Sequence, residues 1–313
     1  MTTPARDAPD VWTTRRLLAW MGDAFTKKGL DSPRLMAEML LGHVLGVERL
    51  RLYTDPDRPA SPLERATLRD LAARALRHEP VQYLTGEAWF FGLPFHTDRR
   101  VLIPRPSTET IVEEVLQHHR ARHGAANADG AGVYIADICT GSGCIAITLL
   151  KHLAGARAIA TDISADALEV AHDNARRHGV LDRIDLVQGD LLEPLERHPV
   201  ARAQGAFDYL LANPPYIPDD EWPDKVGRNV RDHEPHLALR GGPDGLDLVR
   251  PIVAGAPRFL KPGGLLMVEV GDARAAQAAE LVASTPLLES VRTVHDIDAL
   301  PRVVIAARGT AGP

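Results

Sequence analysis

The spacing of apolar residues in the first eighty positions is that of amphipathic helices. Apolar side chains recur three and four residues apart over residues 17–25, and Gly29 then supplies a stop. Ser32-Pro33 and Ser61-Pro62 each place a capping serine before a proline at the first helical position, and an apolar stripe follows both. Short helices with such stripes bury them against one another, so we predict a small helical bundle over residues 1–80.

Aromatic residues and turn residues dominate the next stretch. The aromatic residues are Tyr83, Trp89, Phe90, Phe91 and Phe95. Gly86, Gly92 and Pro94 interrupt them, as is typical of strands joined by tight turns. We therefore predict a β-hairpin that links two domains, over residues 81–104.

A further amphipathic pattern begins near Ser107 and predicts a helix that Ser107 or Thr108 would cap. The residues that follow are rich in His, Arg, Ala and Gly. Three histidines lie there, His118, His119 and His123, but no cysteine or carboxylate pattern accompanies them as it does in metal sites. We predict a solvated loop over residues 118–132 and no metal site.

Strands and helices alternate from Val133 onward. Short apolar strands are predicted at residues 133–138, 158–162, 184–188, 209–212 and 265–270. The last two predicted strands, residues 291–295 and 302–307, are joined by a segment short enough for an antiparallel hairpin at a sheet edge. Repeated strand–helix alternation predicts an α/β fold, a Rossmann-like and mostly parallel sheet with helices on both faces. We assign it to a second domain, residues 105–313.

Composition narrows the class of protein. The 313 residues are 45% hydrophobic and 25% charged, as in ordinary soluble globular proteins, and no apolar stretch is long enough to span a membrane. The net charge of −6 argues against a protein that binds nucleic acid mainly through phosphates. Residues 1–10 lack the apolar core of a secretory signal. Two cysteines, Cys139 and Cys144, fit no disulfide or metal pattern, so we expect a cytoplasmic protein with reduced thiols.

The first strand of the α/β region ends in a glycine-rich turn, Asp137-Ile-Cys-Thr-Gly141-Ser-Gly143, and a helix follows. Glycines at this turn let the backbone approach a ligand, and the helix N-terminus offers unpaired N–H groups. In an open α/β sheet, ligands bind at the carboxyl ends of the strands. The pattern fits nicotinamide enzymes as well as methyltransferases.

An acidic residue follows each of the next two strands. Asp162 stands where a carboxylate accepts hydrogen bonds from the hydroxyls of a ribose, and Ser164 can cap the following helix in its place. Asp190 follows the third strand. Its carboxylate can accept from an exocyclic amine and the apolar neighbour Leu191 can cover an adenine ring, but Asp190 taken alone fits an ordinary surface turn equally well.

The fourth strand ends in Asn213-Pro214-Pro215-Tyr216. Two consecutive prolines can continue neither sheet nor helix, so the backbone is fixed in an extended turn. The nitrogen of an amide or of an exocyclic base amine is a poor nucleophile because its lone pair is delocalised. If the Asn213 side-chain oxygen and the Pro214 carbonyl accept its two hydrogens, charge developing on that nitrogen is stabilised during methyl transfer. Tyr216 can pack on the planar group and fix its orientation.

These motifs together resemble those of S-adenosylmethionine-dependent amino-methyltransferases. Further stretches resemble the peptide chain release factor glutamine methyltransferases: residues 79–86 (EPVQYLTG), 102–109 (LIPRPSTE), 234–239 (EPHLAL), 241–247 (GGPDGLD) and 261–264 (KPGG). The resemblance runs from about Leu17 to Arg308. It implies a class I methyltransferase sheet preceded by a helical domain.

The resemblance also implies an activity and a set of site residues. The expected reaction is methylation of the side-chain amide of the glutamine in the Gly-Gly-Gln motif of class I peptide chain release factors, with S-adenosyl-L-methionine as donor. The implied cofactor-binding residues are Cys139, Thr140, Gly141, Ser142, Gly143, Asp162, Asp190, Leu191 and Asn213. Asn213, Pro214, Pro215 and Tyr216 are expected to hold the glutamine, with Phe90 of the hairpin helping to enclose it. The N-terminal bundle is expected to recognise the release factor, with no direct role for nucleic acid or membrane.

Other readings of the same residues stay open at this point. The turn Ile-Cys-Thr-Gly-Ser-Gly-Cys also resembles enzymes that methylate a glutamine of a large-subunit ribosomal protein, although these generally lack the Pro-Arg-Pro-x-Thr-Glu run. Adenine presents the same planar NH₂ group, so methylation of DNA or RNA is a second alternative. A nicotinamide oxidoreductase or a non-catalytic binding module would leave the Asn-Pro-Pro-Tyr segment unexplained.

Overall fold

The computed structural model describes residues 11–201, 205–222 and 224–310. These residues form two compact units. The first comprises residues 11–86 with Arg228–His233, and the second comprises the other described residues from Glu87 onward. Residues 1–10, where we expect no secretory signal, lie outside the described residues. The domain boundaries drawn from the sequence stay predictions.

Twelve α-helices are present in the described part of the chain. In order they are α1 (Thr14–Lys28), α2 (Pro33–Leu45), α3 (Arg51–Thr54), α4 (Pro62–Ala75), α5 (Val81–Thr85), α6 (Glu109–His123), α7 (Cys144–His152), α8 (Ala165–Arg177), α9 (Glu193–Arg197), α10 (Arg228–Arg231), α11 (Val249–Phe259) and α12 (Ala275–Ala283). The strands are β1 (Glu87–Phe90), β2 (Leu93–His96), β3 (Tyr134–Ile138), β4 (Arg157–Asp162), β5 (Ile184–Gln188), β6 (Phe207–Ala212), β7 (Leu260–Glu269), β8 (Leu288–His295) and β9 (Pro301–Arg308).

The first unit is the predicted helical bundle, in which α1 to α5 pack around their own apolar core; α10 also belongs to this unit. Gly29 ends α1 in the left-handed conformation, and Ser61 begins α4 with a capping box that Glu64 completes. Ser32 corrects the prediction at α2. Its own backbone is left-handed (φ 48°) rather than extended, so its side chain makes no capping hydrogen bond and only Pro33 has the expected role.

Two predictions for residues 81–132 were partly wrong. The stretch predicted as a hairpin begins with helix α5, which Gly86 ends at φ 71°, and the hairpin itself consists only of β1 and β2. The three histidines lie on α6 and not in a loop. His119 is buried and its Nε2 lies 2.7 Å from the carbonyl oxygen of Asn127, while His118 Nδ1 lies 3.0 Å from the Tyr209 hydroxyl. The described residues contain no group of three or more His, Cys, Asp or Glu arranged to hold a metal ion.

A seven-stranded sheet forms the centre of the second unit, in the order β5-β4-β3-β6-β7-β9-β8. Neighbouring strands from β5 to β7 are parallel, and β9 and β8 form the predicted antiparallel pair at the edge. From β3 the chain adds β4 and then β5 on one side of the sheet. It then returns to the other side of β3 with β6, so the strand order reverses between β3 and β6. The α/β prediction is confirmed.

Two apolar layers cover the sheet. One contains the inner faces of α6 and α7 with the hairpin residues Phe90 and Phe95, and the other contains those of α11 and α12. Burial on both faces explains why strands such as β3 and β6 are almost continuously apolar rather than alternating. No helix in the described part of the chain combines the length and apolarity needed to cross a membrane.

Candidate active site

A cavity opens where the strand order reverses, beside the carboxyl ends of β3, β4 and β6. About 1050 Å³ of empty space lies between its walls when the open mouth and the adjoining solvent are counted. The predicted site residues that line it are Cys139, Thr140, Gly141, Ser142, Asp162, Asp190, Leu191, Asn213 and Pro215. Gly143, Pro214, Tyr216 and Phe90 are not among its lining residues. The structure therefore brings most of the predicted residues to one cavity.

A buried carboxylate holds the glycine-rich turn. Asp137 Oδ2 accepts hydrogen bonds from the Thr140 hydroxyl at 2.6 Å and from the Ala146 amide at 3.2 Å, which ties the turn to the first residues of α7. Burial raises the pKa of Asp137 to about 7. Gly141 has φ +55°, and a Cβ added there would meet nothing within 4 Å. The hydrogen bonds to Asp137 thus fix the turn, while the space in front of Gly141 stays open to the cavity.

Asp162 accepts hydrogen bonds from the backbone at the cavity wall, and its contact with a ribose stays a prediction. Its two carboxylate oxygens accept from the backbone amides of Gly141 and Ser164, both at 2.9 Å. Ser164 itself caps α8 by accepting from the Ala167 amide, so Asp162 is not needed as the cap. Burial raises the pKa of Asp162, and the backbone amides oppose that rise. A carboxylate has about four lone-pair sites, so Asp162 retains acceptor capacity for a ligand hydroxyl.

The Asn-Pro-Pro-Tyr segment leaves β6 and is held by a glycine-rich loop. The Ile217 amide donates to the Leu239 carbonyl, and the Gly241 amide donates to the Ile217 carbonyl, both at 2.9 Å. A Cβ on Gly241 would lie 2.7 Å from the Pro215 carbonyl oxygen, and one on Gly245 would lie even closer to the Tyr216 carbonyl oxygen. Only glycine lets the two backbones approach this closely.

The side chains of this segment have different surroundings. Asn213 lines the cavity, and its Nδ2 donates to the Thr108 hydroxyl at 3.1 Å. Thr108 was expected to cap α6 but makes no capping bond there. The Tyr216 hydroxyl donates to Glu269 Oε1 at 3.3 Å, and the ring edge lies at Gly271, where an added Cβ would be 3.5 Å away. The packing of Tyr216 on a substrate stays a prediction.

Phe90 lies in the apolar core and not at the cavity. Its side chain is fully buried, edge-on to Phe95 with 6.1 Å between ring centres. The turn that follows is held by Glu109, whose Oε1 accepts from the Phe91 amide at 2.6 Å. Trp89, which faces the opposite side of the hairpin strand, is 64% exposed. The substrate contact expected of Phe90 stays a prediction.

Sequence reasoning missed two buried acids near the cavity. Glu234 pairs with Arg105, a cavity residue, and its Oε2 accepts from the Ile103 amide at 3.1 Å. Glu269 ends β7 and is fully buried. A signal for Glu269 was available, because a lone carboxylate after the apolar run Leu265–Val268 has to be paired or functional.

The cavity fits S-adenosyl-L-methionine in the chemistry of its lining. Asp162 and Asp190 are acceptors for hydroxyl and amine groups, and Leu191 and Ile163 offer apolar surface to a flat ring. The open space in front of Gly141 admits a ligand against the backbone of the turn.

Comparisons with known proteins agree with this chemistry. Residues 16–86 match the family model described as the PrmC N-terminal domain, and residues 129–305 match a methyltransferase domain. The chain is 44% identical to the release factor glutamine methyltransferase of Chlorobaculum tepidum, over 93% of this chain and 96% of that one. The protein of the same name from Geobacter sulfurreducens is 41% identical, over 95% and 98% of the two chains.

A solved structure supports the fold alone. The catalytic domain of hMettl16 superposes with a TM-score of 0.51 at 14% identity, covering 82% of this chain and 86% of that one. The sequence comparisons thus confirm the family resemblance. The chain belongs to the release factor glutamine methyltransferase family and uses S-adenosyl-L-methionine as its methyl donor.

Proposed function

We propose that this enzyme methylates the side-chain amide nitrogen of the glutamine in the Gly-Gly-Gln motif of class I peptide chain release factors. The observation that carries the proposal is the fixed amide of Asn213 at the wall of the cavity. Its Nδ2 is engaged by Thr108, which leaves the side-chain oxygen as an acceptor. The curated relatives carry the release factor name, so the ribosomal-protein and adenine alternatives are not favoured.

The cofactor assignments follow from the cavity lining. Cys139 to Ser142 would surround the methionine portion together with the adjoining Gly143, Asp162 would accept from the ribose hydroxyls, and Asp190 with Leu191 would hold the adenine. When bound, S-adenosyl-L-methionine supplies a methyl group that its sulfonium already activates. The protein therefore needs no acid to activate the donor, and its task is to place the acceptor nitrogen.

The amide of the substrate glutamine is where the protein supplies catalysis. Asn213 Oδ1 and the Pro214 carbonyl would accept its two N–H groups, so that partial positive charge developing on the nitrogen is stabilised. The backbone from Pro214 to Ile217 is locked by the glycine-rich loop. Acceptors fixed before the reaction cost no reorganisation when it occurs.

The substrate is tested by labelling. The enzyme is incubated with methyl-labelled S-adenosyl-L-methionine and, separately, a full-length class I release factor, the same factor with its motif glutamine replaced by alanine, a large-subunit ribosomal protein and an adenine-containing oligonucleotide. We expect label only on the unaltered release factor. Label that persists on the glutamine-replaced factor, or that appears instead on the ribosomal protein or the oligonucleotide, contradicts the proposal.

The role of Asn213 is tested by substitution. Asn213→Ala removes one oriented acceptor, and loss of such a group typically lowers kcat by about 10²–10³-fold. We expect the Kd for cofactor to change by less than about threefold, because the ribose and adenine contacts remain. Asn127→Ala is the matched control, since that amide bonds to the Ala131 carbonyl outside the cavity. An Asn213→Ala enzyme with full kcat contradicts the assigned role.

A further inference from the structure

A buried side-chain amide, that of Asn174, adjoins the glycine-rich turn. Asn174 lies on α8 and has no exposed surface. Its Nδ2 donates to the Ser142 carbonyl oxygen in the turn and to the His96 carbonyl oxygen at the end of β2, both at 3.0 Å. Its Oδ1 accepts from the His96 amide at 2.7 Å. One side chain thus joins three segments: α8, the turn after β3 and the end of the hairpin.

The chemistry of these partners fits asparagine specifically. They comprise one N–H donor and two carbonyl acceptors, which complements an amide with one oxygen and two hydrogens. A rotated amide would set its oxygen against both carbonyl oxygens and its NH₂ group against the His96 amide. Aspartate has at most one hydrogen to offer the two carbonyls, and glutamine is one methylene longer. Asn174 is therefore fixed in one orientation by backbone groups alone.

The segment that follows β2 contributes to the cavity, and α8 holds it at two further points. Arg100 and Val101 of this segment line the cavity. The Arg100 Nη1 donates to Glu169 Oε2 of α8 at 3.0 Å. Val101 shares a buried apolar cluster with Ala167 and Val170 of the same helix. This part of the cavity lining is thus attached to α8.

The glycine-rich turn is attached to the same helix. A Cβ on Gly143 would lie 3.3 Å from the Cβ of Ala171, three residues before Asn174 on α8. Ser142 lines the cavity, and its carbonyl accepts from Asn174. Two parts of the lining, the turn and the segment after β2, are therefore placed relative to each other by α8. Asn174 is bonded to both.

We propose that Asn174 is a positioning residue for the cofactor, which holds the glycine-rich turn and the segment after β2 at the spacing that binds S-adenosyl-L-methionine. Asn174 does not line the cavity, so it acts through the backbone of Ser142 and His96. The inference rests on the cofactor placement proposed above, and it does not depend on which molecule accepts the methyl group. A lining that is ordered before the ligand arrives binds more tightly than one that the ligand has to order.

Cofactor titration measures this role. Asn174→Ala removes the shared bonds, so we expect the Kd for S-adenosyl-L-methionine, measured by calorimetry without an acceptor and well below the melting temperature, to rise at least about tenfold. Asn174→Asp keeps an acceptor for the His96 amide but lacks the two donors, and we expect the same loss. Val282→Ala, at a buried site of α12 away from the cavity, is the matched control, because it destabilises the same unit. A wild-type Kd in both Asn174 variants overturns the proposal.

Steady-state kinetics separate positioning from a general loss of stability. A partly unfolded variant contains less active enzyme, so its apparent kcat falls while its KM for cofactor stays that of wild type. We expect the reverse for Asn174→Ala: a KM for cofactor at least about tenfold higher, with kcat at saturating cofactor within about threefold of wild type. A lowered kcat with an unchanged KM for cofactor contradicts the positioning role.

The His96 amide reports the contact in the free enzyme. Because this amide donates to Asn174, we expect its hydrogen exchange, followed by NMR, to accelerate in Asn174→Ala relative to wild type and Val282→Ala. Accelerated exchange with a wild-type Kd for cofactor would show a contact that does not position the cofactor, and it overturns the proposal.

Asp162→Asn tests the placement of the cofactor separately. Weaker cofactor binding in Asp162→Asn together with wild-type binding in the Asn174 variants refutes this inference and leaves the placement intact. Wild-type binding in Asp162→Asn refutes the proposed ribose contact instead.

Discussion

Replacing Gly241 by alanine tests whether the backbone of the Asn-Pro-Pro-Tyr segment has to stay where it is. The new Cβ would lie 2.7 Å from both the Pro215 carbonyl oxygen and Tyr216 Cα, about 0.7 Å short of the 3.4 Å at which ordinary contact begins. Both neighbours are backbone atoms, so no rotation of a side chain relieves the overlap. The segment itself has to shift.

The size of that shift sets the expected loss. A displacement of 1 Å at a catalytic group can cost about 10²-fold in rate, so a shift of several tenths of an ångström should lower kcat/KM by about 10- to 100-fold. Overpacking of this kind costs about 1–3 kcal/mol of stability. For a unit of this size that corresponds to a fall in Tm of about 2–4 °C per kcal/mol.

Methyl transfer to release factor, cofactor titration and thermal unfolding measure the outcome. We expect the Kd for cofactor to stay within about threefold of wild type, because Gly241 does not line the cavity. Gly22→Ala is the matched control, since a Cβ on that helical glycine of α1 meets nothing within 4 Å. A Gly241→Ala enzyme with wild-type kcat/KM and Tm would refute the reasoning that the loop holds the segment by close backbone contact.

Two further predictions concern the acids at the strand ends. Asp162→Asn replaces the charged acceptor by a neutral one and should weaken cofactor binding about 10- to 100-fold in a calorimetric titration, since a hydrogen bond to a charged group contributes about 1.5–3 kcal/mol. The control is Asp166→Asn, at an exposed position. Equal affinities of Asp162→Asn and wild type for the cofactor would contradict the ribose contact. Asp137, whose pKa burial raises to about 7, binds its proton more tightly in the folded state than in the unfolded chain, so it stabilises the fold at acidic pH and this contribution is lost as the pH rises from about 4 to 7. In the wild-type protein this titration should lower the free energy of unfolding by on the order of 3 kcal/mol between about pH 5 and pH 8. Asp137→Asn cannot ionise, so urea unfolding of the variant at these two pH values should not show that decrease. A wild-type pH dependence in the variant would count against the raised pKa.

Local chemistry made most of the cavity predictable from sequence. Asp162, Asp190 and Asn213 each follow a short apolar strand, and parallel strands bring their carboxyl ends to one sheet edge. The mostly parallel sheet was predictable from the alternation of strands and helices, whereas the order of its strands was not predicted. Gly141 was recognisable for the same reason, as a turn between a strand and a helix.

Contacts between distant residues were not predictable in this way. Thr108 and Asn213 are 105 positions apart, and nothing local to Thr108 distinguishes a capping hydroxyl from one that serves another strand. The histidines of α6 were mistaken for a loop because polar composition hides a helix whose apolar face is narrow. Ser32 shows the same limit, since a suitable capping residue does not cap when its own backbone turns left-handed.

The start of α6 shows how a search for heat-resistant variants can go wrong. Ser107 and Thr108 stand where a stabilising cap is normally engineered, yet their hydroxyls bond to Glu269 and Asn213 instead of the helix. The backbone of Thr108 is right-handed helical (φ −69°, ψ −22°) rather than extended, so an aspartate there would not cap α6, and it would remove the hydroxyl that accepts from Asn213. A cap engineered here from the sequence alone would therefore add nothing to the helix and would lose the contact with Asn213.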